Sequence, residues 1–339
     1  LSLKPRLLAT QLGYGRNQQG SSISFMESLP INCSGYSLQF SPQATQTAQL
    51  PSNWATPAQF AETVSNGLWY PARHLQLLSD KLAQVEQGQI KRLMVFMPPQ
   101  HGKSSLISMY FPVWYLLQHP DKHILLASYE ASMAEYWAGK ARDIVREHGN
   151  TVGVQINPRA QSASWWQLAG HEGYMAASGV GGPITGKGAH IAIIDDPVKN
   201  AAEAASSVYQ ERAWGWFRST LYSRLAPDGA IILGMTRWDE DELAGWLLRD
   251  MASGGEQWDV LSLPAIAEEG DALGRVLGEA LWPERYNLET LEQIRDTIGP
   301  YYWQALYQQR PTPPEGGLIK REWFRYFSEH DDVYELPGG

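Results

Sequence analysis

The chain has 339 residues, 43% hydrophobic and 19% charged, which suits one large α/β domain with an appendage. A formal net charge of −9 and an isoelectric point near 5.4 exclude DNA binding by bulk electrostatics, so any nucleic-acid contact needs a local basic patch or a partner. The single cysteine, Cys33, excludes a disulfide framework and a cysteine-based zinc site, and no apolar run reaches the roughly 18 residues of a membrane span.

Residues 1–52 are rich in Gln, Ser, Thr, Gly and Pro and show no sustained period; they read as a disordered or loosely held leader. Order is expected from about Trp54. A helix is expected over 68–88, because Leu75, Leu78, Leu82 and Val85 recur at spacings of three and four and Gly88 suits its end. The apolar run 92–97 is short enough for a buried strand, followed by a loop over 98–102 and a helix over 104–117. Further buried strands are expected at 123–128, 190–194 and 230–236, with a helix over 131–147 after the first of them. Near-continuous apolar strands alternating with helices imply an α/β fold: a parallel sheet of the P-loop NTPase type, with helices on both faces. This core spans 53–262. Residues 263–310, punctuated by Pro and Gly and holding one helix near 288–297, read as a small C-terminal lid or linker subdomain, and 311–339 as a linker. The 14 tryptophans mostly have apolar or aromatic neighbours and read as packing residues.

The strongest local signal is Met97-Pro98-Pro99-Gln100-His101-Gly102-Lys103-Ser104. It matches the phosphate-loop pattern at its last three positions, while Met97 stands where a glycine is usual. The loop leaves a strand and opens a helix, whose free N–H groups and positive dipole end suit phosphate oxygens. Gln100, His101, Gly102, Lys103, Ser104 and Ser105 are therefore the expected ATP-phosphate contacts. Gly102 allows close approach, Lys103 bridges the β- and γ-phosphates, and the Ser104 hydroxyl holds Mg²⁺. In Ile191-Ala192-Ile193-Ile194-Asp195-Asp196, the apolar run puts the acids at the C-terminal edge of a strand, where open α/β sheets bind ligands. Asp195 is the expected metal carboxylate and Asp196 the group that polarises the attacking water. Thr236 follows another strand and can sense the γ-phosphate. Arg237 reads two ways, as a cation for transition-state charge or as an ion-pair partner of the acids at 239–242. Arg142, Arg212, Arg218 and Arg224 are further candidates for a charge-stabilising arginine.

Taken together, these motifs resemble the ATPase domain of phage terminase large subunits. The stretches Ile194-Asp195-Asp196-Pro197-Val198-Lys199-Asn200, Thr236-Arg237-Trp238, Leu263-Pro264-Ala265-Ile266, Ala280-Leu281-Trp282-Pro283-Glu284-Arg285 and Ala305-Leu306-Tyr307-Gln308-Gln309-Arg310-Pro311 extend the likeness over roughly 68–328. The resemblance implies ATP hydrolysis that drives double-stranded viral DNA through a portal protein into a procapsid in the host cytoplasm. It also implies a ring of copies and a small terminase subunit as partner. It places adenine near residues 70–76, with Arg73 or Gln76 as contacts. Two departures stand out: Gln100 where the family often has arginine, and Asp196 where it often has glutamate. The chain ends at Gly339, where the family's nuclease domain begins, so no nuclease activity is expected of it. A helicase-like translocase without a capsid, and a prophage remnant that binds nucleotide without turnover, remain as alternative readings.

Overall fold

The computed structural model describes residues 50–184 and 186–312, together with the backbone of a short two-stranded ladder, Ser328–His330 with Val333–Glu335. The expected leader and the 311–339 linker fall almost entirely outside these residues.

The chain enters through α1 (Pro57–Val64) and α2 (Arg73–Glu86), then forms β1 (Arg92–Phe96). After the loop comes a π-helical turn, Ser105–Tyr110, that runs into α3 (Phe111–Gln118). Next are β2 (His123–Ser128), α4 (Ala131–His148), β3 (Ile156–Gln161), β4 (Trp165–Leu168), β5 (Tyr174–Gly179) and β6 (Ala189–Asp195). Two helices, α5 (Ala201–Ala204) and α6 (Ser207–Trp216), lead to β7 (Leu225–Met235). Then come α7 (Leu243–Ala252), β8 (Asp259–Ser262) and α8 (Leu288–Tyr302).

The eight strands form one sheet in the order β3-β4-β5-β2-β6-β7-β1-β8. Pairing is parallel from β5 to β8, as the apolar runs imply. At the other edge β3, β4 and β5 pair antiparallel, an edge addition to the expected parallel sheet. These edge strands were not foreseen because 156–168 carries Pro158, Arg159 and two Gln among its apolar residues, as a half-exposed edge allows.

Both faces of the central strands are buried, and the alternation sorts them into two cores. Leu93, Val95, Ile124, Leu126, Ile191, Ile193 and Ile232 face the layer that holds α1, α2, α3 and α4. Met94, Phe96, Leu125, Ala192, Ile194, Ile231 and Leu233 face α6 and α7. Helix α2 buries Leu75, Leu78, Leu82 and Val85, the stripe that its spacing announces. Each such leucine contributes about 1.5–3 kcal/mol by burial. The helix begins at Arg73 rather than 68, after the Tyr70-Pro71 step, which disfavours helical backbone before proline. Pro112 likewise removes an N–H from the helix after the loop, and the turn ahead of it is π-helical. Beyond β8, Ala265, Ala280, Leu291 and Trp303 form a small separate core, whereas Leu263, Leu281 and Trp282 pack into the main one. Helix α8 kinks at Gly299, whose φ of 78° is followed by Pro300.

Candidate active site

Three neighbouring strands, β6, β7 and β1, end at one edge of the sheet. There they open a cleft of about 310 Å³ lined by residues 98–105, Trp137, Asp196, Thr236 and Arg285. The loop of residues 97–104 forms one wall. Met97 keeps strand pairing, its N–H donating to the Met235 carbonyl at 3.2 Å, and its side chain is fully buried in the core. That position therefore needs no glycine in this chain. Tight backbone is needed later, at Gln100 (φ 59°) and Gly102 (φ 89°). At Gly102 a Cβ would also lie 2.9 Å from Leu75 of α2, so the loop rests directly on that helix.

The charged centre is compact. The Lys103 ammonium lies 2.9 Å from Asp195 Oδ1 and 2.8 Å from Asp196 Oδ1. The Ser104 hydroxyl donates to Asp195 Oδ1 at 3.0 Å, and the Ser108 hydroxyl donates to Asp195 Oδ2 at 2.8 Å. Burial alone would lower the Lys103 ammonium, but the two carboxylates outweigh it and hold it above the ordinary lysine range. Asp196 moves the other way. Desolvation within the cleft raises its carboxyl, and neighbouring Asp195 adds to the rise against the pull of Lys103. About a third of the Asp196 side chain stays open to the cleft (36%), whereas Asp195 is closed off at 3%. Asp196 stands on left-handed backbone, φ 46°, an infrequent conformation in which Asp is one of the better-tolerated residues. Its Oδ1 accepts the Thr236 N–H at 3.0 Å, and the Thr236 hydroxyl donates to the Met97 carbonyl at 3.1 Å. Thr236 thus ties the Asp196 carboxylate to the strand that carries the loop.

A buried aromatic group backs the loop. His74 Nε2 donates to the His101 carbonyl at 2.9 Å, and His101 Nδ1 donates to the Pro99 carbonyl at 2.8 Å. The His101 ring stacks on Tyr286 at 4.7 Å, and His74 packs 5.2 Å from Trp282. Desolvation pushes both imidazoles down to about 4 from the ordinary 6.5, although each hydrogen bond opposes the change. Between those values the unfolded chain binds protons that the folded chain refuses. Their stabilisation is therefore full above pH 6.5 and is lost as the pH falls towards 4. The loss is on the order of 3 kcal/mol per ring. Thermal melts of the parent and His74→Phe should differ most at pH 7 and converge towards pH 4.5. A gap that stays constant with pH would rule this out.

Residues 94–326 match the family model described as terminase large subunit, T4likevirus-type, N-terminal. The chain belongs to that family. No curated protein matches it by sequence. Solved structures similar to this terminase chain include the large terminase of a thermophilic bacteriophage in complex with ADP, at 8% identity and a TM-score of 0.40, covering 67% of this chain and 52% of that one. The ATPase domain of a Thermus phage large terminase aligns at 17% identity and a TM-score of 0.44, covering 68% and 92%. The large terminase of bacteriophage HK97 aligns at 14% and 0.42, covering 65% and 47%. The chain spans about half the length of the ADP-bound relative.

Within this terminase chain the structure brings Gln100, His101, Gly102, Lys103, Ser104, Ser105, Asp195, Asp196 and Thr236 to one sheet edge. It does not bring Arg73 or Gln76 there. Both are on the outer face of α2, Arg73 pairing with Glu279 at 3.2 Å and Gln76 donating to the Pro71 carbonyl at 3.3 Å. His74, one position along, is the residue of that helix that reaches the loop. Of the two readings of Arg237, the structure builds the ion pair. Its guanidinium bonds buried Glu242, lies 4.9 Å over the Phe96 ring and does not line the cleft. Burial pushes the Glu242 carboxyl up to about 7 in spite of that arginine. Arg142, Arg212, Arg218 and Arg224 do not line the cleft either. Sequence reasoning missed Ser108, although it stands four residues after Ser104 on the same helical face. It also missed Gly234, which no local signal marks.

Proposed function

We propose that this chain hydrolyses ATP at the cleft and that hydrolysis drives double-stranded viral DNA into a procapsid. The observation that carries the chemistry is the Lys103 ammonium held between the Asp195 and Asp196 carboxylates beside the phosphate loop. Membership of the terminase large-subunit family supplies the cargo. The portal protein, a small terminase subunit and further copies of the chain in a ring are the partners that this reading includes. The host cytoplasm, at the portal, is its place. Among the described residues no helix is long and apolar enough to cross a membrane.

The residues fit Mg²⁺. Ser104 Oγ and Asp195 Oδ1 are 3.0 Å apart, the separation of adjacent oxygens around an octahedral cation with bonds of about 2.1 Å. Two protein oxygens suffice where phosphate oxygens and water complete the shell. When bound there, Mg²⁺ supplies positive charge to the β- and γ-phosphates.

The chain's own residues then divide the work. The loop amides and the helix N-terminus bind the phosphates, and Gly102 lets them approach. Lys103 neutralises the γ-phosphate oxygens. Asp196 orients a water in line and accepts its proton as the water oxygen bonds to the γ-phosphorus and the bond to the β-phosphate oxygen breaks. Its raised affinity for protons suits that task. The Thr236 N–H fixes the direction of that carboxylate. The next residue passes the change onward, since the Arg237 N–H donates to Gln309 at 3.3 Å, at the far end of the lid segment. The lid is thereby linked to the group that faces the γ-phosphate.

Steady-state ATPase activity with Mg²⁺ tests the reading. The parent is expected to turn over and Lys103→Ala to lose about a hundredfold or more in kcat/KM, as removal of a buried charge contact to a transferring phosphoryl group does. A parent that is silent even with DNA and portal present sinks the motor and leaves the nucleotide-binding remnant. Turnover that drives DNA movement without a procapsid favours the helicase-like translocase instead.

A further inference from the structure

We propose that Arg285, from the segment after β8, contacts the phosphate chain of a nucleotide bound in the cleft and supplies positive charge to it. The proposal rests on the ATPase reading and deepens it.

The cleft has two permanently cationic side chains in its lining, Lys103 and Arg285. Lys103 is bonded to two carboxylates, so its single charge is shared between them and a bound phosphate. Arg285 is exposed and has no ion pair or side-chain hydrogen bond among the described residues, although Glu284 is its neighbour in sequence. A guanidinium left without a carboxylate at the mouth of a phosphate cleft keeps all five of its donors for a ligand. A nucleotide triphosphate carries several negative charges, and the cleft's remaining charged lining group, Asp196, is of the wrong sign to bind them.

The guanidinium is also held in place by what lies beneath it. It sits 5.2 Å above the Trp282 ring and 5.7 Å above Tyr286. Such cation–π contacts hold the guanidinium beside the rings while leaving its N–H groups for a ligand. Both rings are anchored to the loop itself: Tyr286 stacks on His101, and Trp282 packs against His74, which bonds the His101 carbonyl. The turn is closed by the N–H groups of Arg285 and Tyr286 donating to the Trp282 carbonyl at 3.0 and 2.7 Å. Arg285 is therefore set relative to the phosphate loop through the rings of Trp282 and Tyr286, and not merely by membership of the same subdomain.

A contact to phosphates predicts dependence on the phosphates and not on the base. A fluorescent ATP analogue, displaced by ATP and separately by tripolyphosphate, reads this without turnover. Arg285→Ala should weaken both competitors by about tenfold to a hundredfold, by factors that agree within about threefold, as loss of a charge-assisted fork does. Arg285→Lys, which keeps charge and loses the fork, should fall between parent and Arg285→Ala. Unchanged displacement by both competitors in Arg285→Ala overturns the proposal. So does a loss confined to ATP, which would place the contact on the base. A parent that does not bind the analogue at all sinks the ATPase reading instead, and the two failures are thus distinct.

Discussion

Asp196→Asn is expected to remain folded and to bind ATP while kcat falls by about a hundredfold to ten-thousandfold, the contribution of a positioned general base. The amide keeps an oxygen for the Thr236 N–H, and Asn tolerates left-handed backbone at least as well as Asp does. It also removes a desolvated charge that stands beside Asp195, so the melting temperature should hold or rise. Turnover in the parent should decline on acidification through the raised Asp196 titration, since only the ionised carboxylate can accept a proton. The decline is checked by kcat against pH in parent and variant. An Asp196→Asn protein that keeps parental kcat removes Asp196 from the chemistry and leaves it a partner of Lys103. The shorter acid at this position is no obstacle of reach, because its Oδ1 is 2.8 Å from the Lys103 ammonium and its side chain lines the cleft.

What could be read beforehand was local. The runs at 93–96 and 191–194 announce buried strands because each needs only its own apolar residues, whichever strands flank it. The acids at 195 and 196 follow from the end of such a run. Helix phase was legible too: the stripe of Leu75, Leu78 and Leu82 turns Arg73 and Gln76 outward and His74 inward, whereas the expectation at Arg73 and Gln76 came from the resemblance and not from phase. Long-range facts were not legible. Nothing near residues 282–286 says that this turn covers His101, some 180 residues earlier in the chain. The strand order hides in the same way, because β7, which follows β6 in the chain, enters the sheet beside β1, laid down long before it in sequence. That insertion sets a problem which the chain solves with one residue.

Lys103 starts beside β1 and Asp195 ends β6, so the ammonium must pass over the intervening end of β7 to meet its carboxylate. Gly234 is the residue of β7 paired with Asp195, and it lies under that path. A Cβ there would sit 2.9 Å from Ile107 Cδ1, 3.6 Å from Lys103 Cδ and 3.7 Å from Asp195 Oδ1. Its φ is not in the left-handed region, so the requirement is for space and not for backbone freedom. Gly234→Ala meets first the far end of a flexible isoleucine and should be partly tolerated. Gly234→Val adds two methyl groups beside the lysine stem and should cost about 1–3 kcal/mol in stability through overpacking. Its larger effect is on the site: with Lys103 displaced, kcat/KM should drop about a hundredfold, close to Lys103→Ala. Combining the two substitutions separates the causes. If Gly234→Val acts through Lys103, the double variant turns over no more slowly than Lys103→Ala alone. Fully additive losses, or a Gly234→Val protein with parental turnover, would mean that the lysine reaches its carboxylates by another route.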